Sequence, residues 1–320
     1  MPNLWDHTEP VRPGVLQYLS VGCTTRCNLA CTFCSKEGAE RRDLDPELLM
    51  SNVRSARRKG LEKVELTGGE PLCYPWFSRI VEEMVDLGLL VLIVSNGTLL
   101  DRRMARTLAD LRVGVSLSLS TLRPERYDRM ARTTGGLAKV QQAIEALREA
   151  GYSRDAMPVF AIQSLASRET LEELEALRAW AKQHGCGFIL NRPIPVGGLK
   201  AKNLLTGQEL RSFLGESAEV PFSDDAACNR LEVGCYLGAD GIVRPCPAID
   251  VGVGQVGERN VDEIWQSSEQ LAAWRGVHAE LEGACGSCPH NRRCYGCRAV
   301  AFATFGSRTA PDPGCWRFSP

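Results

Sequence analysis

The sequence predicts an α/β fold, in which a partial (β/α)6 TIM-like barrel is followed by a small, cysteine-rich α+β domain. From Val15 to Arg192, short apolar runs alternate with longer segments that repeat apolar residues every three or four positions. This is the pattern of strands alternating with amphipathic helices, and it indicates a parallel sheet with crossover helices. From Cys228 onward the chain instead carries eight cysteines in 88 residues, which indicates a region that folds around inorganic ligands.

The predicted elements alternate regularly through the first region. Strands are expected at Leu16–Val21, Lys63–Leu66, Leu89–Ser95, Val113–Leu119, Pro158–Ile162 and Phe188–Asn191, because these runs are short, apolar and bounded by turn residues. Helices are expected at Pro46–Lys59, Trp76–Leu87, Arg102–Leu111, Leu137–Ala150 and Arg168–His184. In barrels of this kind the reactive groups lie on the loops that follow the strands.

Four segments are predicted along the chain: an N-terminal extension over residues 1–14, the barrel over 15–195, a linker over 196–227 and the cysteine-rich domain over 228–320. The linker is predicted because the stretch that begins near Pro193 is rich in proline and glycine and lacks a regular pattern of strands and helices. A short helix is expected within it, at Thr206–Leu214. In the last segment, Asp240-Gly241 between apolar runs predicts a β-hairpin, and a helix is expected at Val261–Trp274.

Composition and charge exclude several classes of partner. Lys and Arg total 38 against 39 Asp and Glu, for a net charge of -1, so no basic field favours nucleic acid or an anionic membrane. The N-terminus lacks a signal-peptide pattern, and no apolar run approaches the roughly 18 residues of a membrane helix. A cytoplasmic protein without a nucleic-acid or membrane partner is therefore expected, with its fourteen cysteines acting as metal or cluster ligands.

Three cysteines after the first strand have the spacing Cys27-x3-Cys31-x2-Cys34. They supply one thiolate fewer than the four that complete a [4Fe-4S] cluster, so one iron would stay open to a small-molecule ligand. Cys23 stands four residues before Cys27, at the strand end, and falls outside this spacing. A structural zinc loop is the alternative interpretation of these cysteines alone.

Two motifs of this region resemble the signature of the radical S-adenosylmethionine (SAM) superfamily, over residues 15 to about 192: Cys27-Asn28-Leu29-Ala30-Cys31-Thr32-Phe33-Cys34 and Thr67-Gly68-Gly69-Glu70-Pro71. The resemblance implies that the three cysteines hold a [4Fe-4S] cluster whose open iron binds the amino and carboxylate groups of SAM. It also implies a set of cofactor-binding residues: Phe33, Gly68, Gly69, Glu70, Ser95, Asn96, Ser118 and Arg132. The two glycines would let the backbone approach the ligand, and Glu70 would accept a hydrogen bond from the methionine ammonium. Ser120 stands where the family often has an acidic residue.

A second set of cysteines fills the C-terminal region: Cys228-x6-Cys235-x10-Cys246, then Cys285-x2-Cys288-x5-Cys294-x2-Cys297 and Cys315. Two zinc sites would also use eight thiolates. After a radical SAM barrel, however, the set resembles the SPASM domain, which carries two auxiliary [4Fe-4S] clusters. The resemblance implies one cluster on Cys228, Cys235, Cys246 and Cys297 and another on Cys285, Cys288, Cys294 and Cys315, so that the chain would hold three clusters.

Cys235 has a second candidate role. A Cys235 thiol that binds no iron and lies next to the substrate would donate a hydrogen atom to a substrate radical, and the enzyme would then be an epimerase. Cys23, Cys73 and Cys186 are left outside the clusters. Cys186 is expected to be a small buried hydrophobic residue.

The resemblance implies a radical SAM enzyme, an oxidoreductase that uses a flavodoxin or ferredoxin-type electron donor. Reductive cleavage of SAM would give a 5′-deoxyadenosyl radical that abstracts hydrogen from an unactivated C–H bond. Few residues precede the first strand, so a leader-binding domain of the peptide-modifying members is not expected. This favours a small polar natural-product intermediate, aminoglycoside or sugar-like, that is oxidised, dehydrogenated or epimerised. A short ribosomal peptide, a tetrapyrrole side chain and a non-catalytic zinc–thiolate module are the alternatives.

Overall fold

The computed structural model describes residues 11–35, 37–155, 157–199, 203–214, 228, 230–291 and 294–315. Of the predicted N-terminal extension, residues 1–10 lie outside the described residues. The same holds for residues 200–202 and 215–227 of the predicted linker.

Six parallel strands form the sheet of the first region. They are β1 (Tyr18–Thr24), β2 (Lys63–Gly68), β3 (Leu90–Ser95), β4 (Gly114–Ser118), β5 (Phe160–Leu165) and β6 (Gly187–Asn191). Each strand pairs in parallel with the next one along the chain. The partial (β/α)6 barrel predicted from the alternating pattern is therefore confirmed.

The helices of the first region cover the sheet between successive strands. They are α1 (Pro46–Arg58), α2 (Phe77–Asp86), α3 (Arg102–Asp110), α4 (Pro124–Ala131), α5 (Gly136–Glu149) and α6 (Leu174–Gln183). Side chains of Asp45 and Asp101 cap α1 and α3, because each accepts a hydrogen bond from a backbone N–H in the first turn. The short helix α4 is absent from the predicted elements, although Pro124 at its first turn is a typical start signal.

The second region contains short elements. They are α7 (Gly207–Leu214), α8 (Arg230–Val233), β7 (Gly234–Leu237), β8 (Ile242–Arg244), β9 (Gly254–Gln255), α9 (Val261–Ser267), α10 (Glu269–Arg275), α11 (Gly283–Gly286) and α12 (Arg298–Phe305). The hairpin predicted at Asp240-Gly241 is confirmed by the antiparallel pairing of β7 with β8. The single helix predicted at Val261–Trp274 is wrong, because Ser268 interrupts it and its hydroxyl accepts a hydrogen bond from the Leu271 N–H at the start of α10.

The sheet continues across the predicted boundary between the two regions. Strand β7 pairs in parallel with β1, so that Leu19 lies opposite Cys235, and the described strands follow the order β6-β5-β4-β3-β2-β1-β7-β8-β9. The larger apolar core extends from the barrel helices to α9 and α10. A smaller core around Trp274 and Tyr295 packs against cysteines of the C-terminal region. None of the described helices has the length and apolar character needed to cross a bilayer.

Asn52 joins α1 to the start of α9 and offers a test of the contact between the two regions. Its buried side chain accepts a hydrogen bond from the Val261 N–H at 2.7 Å and donates to the Leu48 carbonyl at 2.8 Å. Asn52→Ala leaves that buried N–H without a partner, so we expect the free energy of unfolding to fall by about 1–3 kcal/mol. Urea unfolding of the anaerobically purified protein measures this. Ser51→Ala is the matched control, because exposed Ser51 bonds to the same carbonyl, and an equal loss in both variants would contradict the prediction.

His278 makes the stability of the C-terminal region depend on pH. Its Nε2 lies 3.0 Å from Glu232, and its Nδ1 bonds to the carbonyl of Asn291. The hydrogen bond with Glu232 raises the pKa of His278 despite its partial burial. Because the folded-state pKa is raised, the stabilisation is complete below the unfolded value of about 6.5 and disappears as the pH rises through the folded value. We expect the stability difference between wild type and His278→Gln, measured by urea unfolding, to shrink over that range. A difference that stays constant or grows with pH would contradict this.

Candidate metal and cofactor site

The cysteine loop lies at the carboxyl end of β1 and is held by the backbone of a distant helix. The Thr32 N–H donates to the Met130 carbonyl at 2.8 Å, and the Ala30 N–H donates to the Ala131 carbonyl at 3.4 Å, both at the end of α4. Sequence spacing does not connect this helix to the loop, since about 100 residues separate them. The position of the loop therefore depends on the tertiary packing of α4.

One cavity of about 270 Å³ at this end of the sheet is lined by most of the residues predicted to hold the first cluster and SAM. The predicted residues that line it are Cys27, Cys31, Phe33, Cys34, Gly68, Gly69, Ser95, Asn96 and Ser118. They belong to the ends or following loops of four successive strands, which a parallel barrel brings to one edge. The structure thus brings the two sequence motifs and the third- and fourth-strand residues to one place.

The thiols at this cavity lie close enough to influence one another's ionisation. Burial, together with negative charge on Cys27 and Cys34, raises the pKa of Cys31 to about 11, and burial also raises the pKa of Cys27. Metal-free thiols with such pKa values are protonated near neutral pH and release protons when a metal binds. Three adjacent thiolates fit an iron–sulfur cluster. In the described part of the chain, no group of three or more His, Cys, Asp or Glu residues is arranged to hold a single metal ion.

Gly68 and Gly69 pack the loop after β2 directly against the start of the cysteine loop. The Gly69 N–H donates to the Thr24 carbonyl at 2.7 Å, and the Glu70 N–H donates to the Arg26 carbonyl at 2.8 Å. A Cβ at Gly68 would lie 2.3 Å from the Thr24 oxygen, and one at Gly69 would lie 2.2 Å from the Arg26 oxygen. The glycines are therefore required for the contact between the two loops, a reason that the sequence analysis did not contain.

Glu70 is fully buried, and its carboxylate bonds to the protein rather than facing the cavity. It accepts hydrogen bonds from the Leu72 N–H at 3.1 Å, the Ser95 hydroxyl at 2.8 Å and the Asn96 N–H at 2.7 Å. Burial raises the pKa of Glu70, and these bonds oppose the rise. These bonds let the carboxylate position the Ser95-Asn96 segment of the cavity wall. A direct contact between Glu70 and the ammonium of SAM stays a prediction.

Asn96 extends this connection to the cysteine loop. Its side-chain Nδ2 donates to Asn28 Oδ1 at 3.0 Å and lies 3.8 Å from the Cys27 sulfur. Asn28 in turn donates to the Thr98 hydroxyl at 2.7 Å. A polar chain thus runs from Glu70 to the first of the three cysteines, where N–H groups near sulfur are known to tune cluster potentials.

Two serines at the end of β4 lie on the cavity wall, whereas Arg132 does not. Ser118 accepts a hydrogen bond from Gln163 Nε2 at 3.1 Å, and Ser120 accepts one from a backbone N–H of β5 at 3.0 Å. Arg132 ends α4 in the left-handed conformation, and its exposed guanidinium pairs with Glu37 at 3.3 Å. Arg132 nevertheless lies near enough to Cys31 for its charge to lower the pKa of that thiol, and its contact with SAM stays a prediction.

Three residues of α4 line the cavity but were not predicted from the sequence: Tyr127, Met130 and Ala131. They follow no spacing motif, and they reach the cysteine loop only because α4 packs against it. Burial raises the pKa of Tyr127, and negative charge on nearby Cys31 adds to the rise, so its hydroxyl remains neutral. Recognition of α4 from Pro124 would have identified the helix but not its contact with the loop.

The C-terminal cysteines form two groups. Cys228, Cys246 and Cys297 make the first, in which burial raises the pKa of Cys246 to about 12 and the two other sulfurs add to the rise. Cys285, Cys294 and Cys315 make the second, and the membership of Cys288 stays a prediction. There burial raises the pKa of Cys294, with added contributions from Cys315 and Cys285.

A buried ion pair lies between the two groups. The Arg192 guanidinium donates to both carboxylate oxygens of Asp312, at 2.6 and 2.8 Å. Asp312 also accepts a hydrogen bond from the Cys297 N–H at 2.7 Å, while its own N–H donates to the Cys285 sulfur at 3.3 Å. Burial opposes ionisation of Asp312, but Arg192 lowers its pKa below the usual range. One ion pair thus contacts a member of each cysteine group.

Cys235 stands apart from both groups. It lies in β7, is 1% exposed and belongs to the larger core. Burial raises its pKa to about 12, and the charge that acts on it is that of Arg275. Both predicted roles of Cys235, cluster ligand and hydrogen donor beside the substrate, therefore disagree with this geometry, because pairing of β7 with β1 places its side chain in the core.

A second cavity, of about 700 Å³, lies between the cysteine loop and the hairpin of β7 and β8. It shares Ser35 and Gly68 with the first cavity, so the two adjoin. The charged residues of its wall are Glu37, Glu40, Arg42, Asp240, Arg244 and Asp250. A cavity with these walls suits a polar ligand.

A partial parallel barrel with a three-cysteine loop against a glycine loop defines an iron–sulfur enzyme of the class that uses SAM. The model of the Radical SAM superfamily matches residues 21–181, and that of SPASM, an iron-sulfur cluster-binding domain, matches residues 228–289. The chain belongs to the radical SAM superfamily and carries a SPASM domain. SAM and iron–sulfur clusters are therefore its cofactors, which argues against a non-catalytic zinc module.

Similar proteins are found among curated sequences and solved structures. An AdoMet-dependent heme synthase of Methanosarcina barkeri is 25% identical over 334 residues, covering 91% of this chain and 94% of the relative. A mycofactocin maturase of Mycolicibacterium smegmatis is 26% identical over 323 residues, covering 91% and 80%. The crystal structure of Streptococcus suis SuiB bound to S-adenosylmethionine superposes with a TM-score of 0.76 at 17% identity, covering 95% of this chain and 78% of SuiB. The last similarity supports the fold.

Gly69→Ala tests whether contact between the two loops shapes the site. The new methyl group meets the Arg26 carbonyl at 2.2 Å, so the loops must separate, at a cost of about 1–3 kcal/mol. We expect both iron loading of the cysteine loop and affinity for SAM, measured by anaerobic calorimetry, to fall. The control is Gly276→Ala, whose added Cβ would meet its nearest atom at an ordinary 3.5 Å. Unchanged SAM affinity in Gly69→Ala would contradict the prediction.

Proposed function

We propose that this chain is a radical SAM oxidoreductase that removes hydrogen from an unactivated C–H bond of a small polar natural-product intermediate, aminoglycoside or sugar-like, and oxidises it. The supporting observation is that the cavity of the three-cysteine loop adjoins a larger cavity with charged walls. SAM bound in the first cavity would lie beside a substrate bound in the second. Proximity of this kind is what a transfer of hydrogen between the two molecules requires.

The proposal gives the residues of the first cavity distinct tasks. Cys27, Cys31 and Cys34 supply the thiolates of the SAM-binding cluster, while Gly68 and Gly69 present backbone to the methionine end of SAM. The wall around the rest of SAM is formed by Phe33, Ser95, Asn96 and Ser118. Glu70 acts through Asn96, which it holds by the hydrogen bond to the Asn96 N–H.

Two further clusters belong to the proposal, held by the two C-terminal cysteine groups. The cluster held by Cys27, Cys31 and Cys34 would supply reducing power for the cleavage of SAM, and the auxiliary clusters would supply a route for the electron released when the substrate is oxidised. The chain's own part is to keep the reacting groups together and to exclude water from the first cavity, where Leu29, Val94 and Met130 provide apolar walls. A flavodoxin or ferredoxin-type donor of the first electron remains a prediction.

The charged second cavity favours a polar substrate over an apolar one. Arg244 pairs with Asp240 at 2.8 Å and with Asp250 at 2.9 Å, and Arg42 pairs with Glu40. A ligand rich in hydroxyl and amino groups can exchange hydrogen bonds with these pairs, whereas a purely apolar ligand would leave them desolvated.

Two alternative substrates are each favoured by one relative. The mycofactocin maturase matches 91% of this chain, which favours maturation of a ribosomal peptide. The AdoMet-dependent heme synthase also matches 91% of this chain, which favours modification of a tetrapyrrole side chain. The two relatives are named for different reactions, yet their sequence identities to this chain are nearly equal. Sequence similarity therefore does not decide between the two alternative substrates.

Cleavage of SAM tests the reaction itself. After anaerobic reconstitution with iron and sulfide, we expect about twelve irons per chain, four for each cluster, and formation of 5′-deoxyadenosine with dithionite. Cys31→Ala should retain about eight irons and lose 5′-deoxyadenosine by at least about 100-fold, since one thiolate of the first cluster is missing. Cys186→Ala, which removes a buried cysteine elsewhere in the barrel, is the control. Equal product from wild type and Cys31→Ala would refute the proposed reaction.

Transfer of a label identifies the substrate class. Deuterated candidates from the three classes, namely an aminoglycoside-type molecule, a short peptide and a tetrapyrrole, are incubated with the enzyme, SAM and dithionite. We expect mass spectrometry to detect deuterium in 5′-deoxyadenosine with the aminoglycoside-type molecule. Deuterium transfer only from the peptide or the tetrapyrrole would replace the small-molecule proposal while leaving the radical SAM reaction intact.

A further inference from the structure

We infer that Glu173 is a positioning residue for SAM, because it holds α4 and the turn before α4 in the place where both form the wall of the first cavity. Glu173 lies directly before α6, and among the described residues it is not part of that wall. The inference rests on the proposed function only in taking the first cavity as the place where SAM binds.

Glu173 is a buried carboxylate whose partners belong to a distant segment of the chain. Its side chain is 6% exposed. It accepts hydrogen bonds from the Thr121 hydroxyl at 2.8 Å, the Leu122 N–H at 3.0 Å and the Arg126 guanidinium at 2.6 Å. A buried carboxylate is costly unless it is bonded and paired, so these three bonds favour one position of the segment. About 50 residues separate Glu173 from its partners.

The turn before α4 depends on this carboxylate. Helix α4 begins after Arg123, whose side chain does not cap it. The Arg123 N–H instead donates to the Thr121 hydroxyl at 3.1 Å, and that hydroxyl donates to Glu173. Thr121 is buried and lines the first cavity. Glu173 therefore fixes one residue of the cavity wall through a direct hydrogen bond.

Helix α4 extends the effect to the rest of the wall. Arg126 pairs with Glu173, and three residues of the same helix line the cavity, namely Tyr127, Met130 and Ala131. The carbonyls of Met130 and Ala131 also accept hydrogen bonds from the cysteine loop. The helix has eight residues, and a short rigid element transmits a displacement from one end to the other. Loss of the pair at Arg126 would therefore shift the wall.

Glu172 offers a matched comparison with Glu173. It bonds to the same Arg126 at 2.7 Å and pairs with Arg123 at 3.0 Å. Its side chain is 57% exposed, however, and exposed ion pairs contribute little. Replacement of Glu172 removes the same charge from the same arginine without emptying the buried position, so the two variants separate the buried contact from net charge.

Affinity for SAM tests the inference. We compare wild type with Glu173→Ala, Glu173→Gln, Glu172→Ala and Ala181→Gly, all as full-length chains reconstituted anaerobically. Ala181→Gly weakens the other end of α6 through the low helix propensity of glycine and reports what a loss of stability alone does. The dissociation constant is taken from the change that SAM causes in the electron paramagnetic resonance spectrum of the reduced protein. Only chains that hold the first cluster contribute to this change, so loss of iron cannot imitate weak binding.

We expect Glu173→Ala to raise the dissociation constant for SAM by about 10-fold. Glu173→Gln should raise it by less, since the amide oxygen still accepts the bond from the Leu122 N–H while the charge that pairs with Arg126 is gone. Glutamine also nearly preserves the volume of the side chain, so this variant keeps the test valid if Glu173→Ala does not fold. Glu172→Ala and Ala181→Gly should stay near the wild-type value.

Hydrogen exchange provides a readout that needs neither SAM nor a cluster. In the metal-free chain, we expect mass spectrometry to show faster exchange in a peptide covering residues 119–132 for Glu173→Ala, and to a smaller extent for Glu173→Gln. Exchange of this peptide should be unchanged in Glu172→Ala and Ala181→Gly. Wild-type exchange in both Glu173 variants would overturn the inference.

The failure of this inference differs from the failure of the proposed function. If wild type itself binds no SAM, the proposed function fails. If wild type binds SAM and the two Glu173 variants bind it with equal affinity, the inference is overturned while the proposed function stands. The same holds if Ala181→Gly weakens binding as strongly as Glu173→Ala, because Glu173 would then act only through stability.

Discussion

The arrangement of the site depends on two backbone hydrogen bonds between loops. The Gly69 N–H donates to the Thr24 carbonyl, and the Glu70 N–H donates to the Arg26 carbonyl. They hold the glycine loop against the cysteine loop at a separation that excludes a Cβ. The polar chain that runs from Glu70 to Cys27 begins at this contact. Glu70 bonds to Ser95 at the end of β3 and to the N–H of Asn96, the residue after β3, and Asn96 is the neighbour of the Cys27 sulfur.

The position of the C-terminal cysteines follows from a second constraint, the pairing of β1 on both of its edges. One edge pairs with β2 and the other with β7, so the strand that precedes the cysteine loop also aligns the hairpin of β7 and β8 that leads to Cys246. Tyr236 of β7 approaches Gly22 of β1 so closely that a side chain at Gly22 would overlap its ring. The barrel and the cysteine-rich region thus share one sheet, and the charged cavity is the space between their loops.

Buried charges accompany the C-terminal cysteines. Arg230 lies 3.4 Å from Glu65 and stacks over the Tyr18 ring at 4.9 Å, inside the barrel and next to Cys246. Arg192 is held by Asp312 between the two cysteine groups. Both guanidinium groups are largely shielded from solvent, where a cation is costly unless it is paired, and thiolates bound to metal would supply additional negative charge. The charge arrangement therefore suits the metal-loaded form of the protein better than the metal-free form.

The sequence by itself determined the class of fold, because the alternating periodicity of strands and helices is encoded locally. The resemblance of its two motifs to the radical SAM signature also identified most of the predicted residues that meet at the first cavity. It did not determine the role of Glu70, the contribution of α4 or the direction of Cys235. These depend on contacts between residues far apart in the chain, which the spacing of the motif residues does not reveal. Cys235 has the spacing of a ligand, yet the pairing of β7 with β1 turns its sulfur into the core. Only the tertiary structure decides that, because side-chain direction is fixed by strand register and not by the order of residues alone.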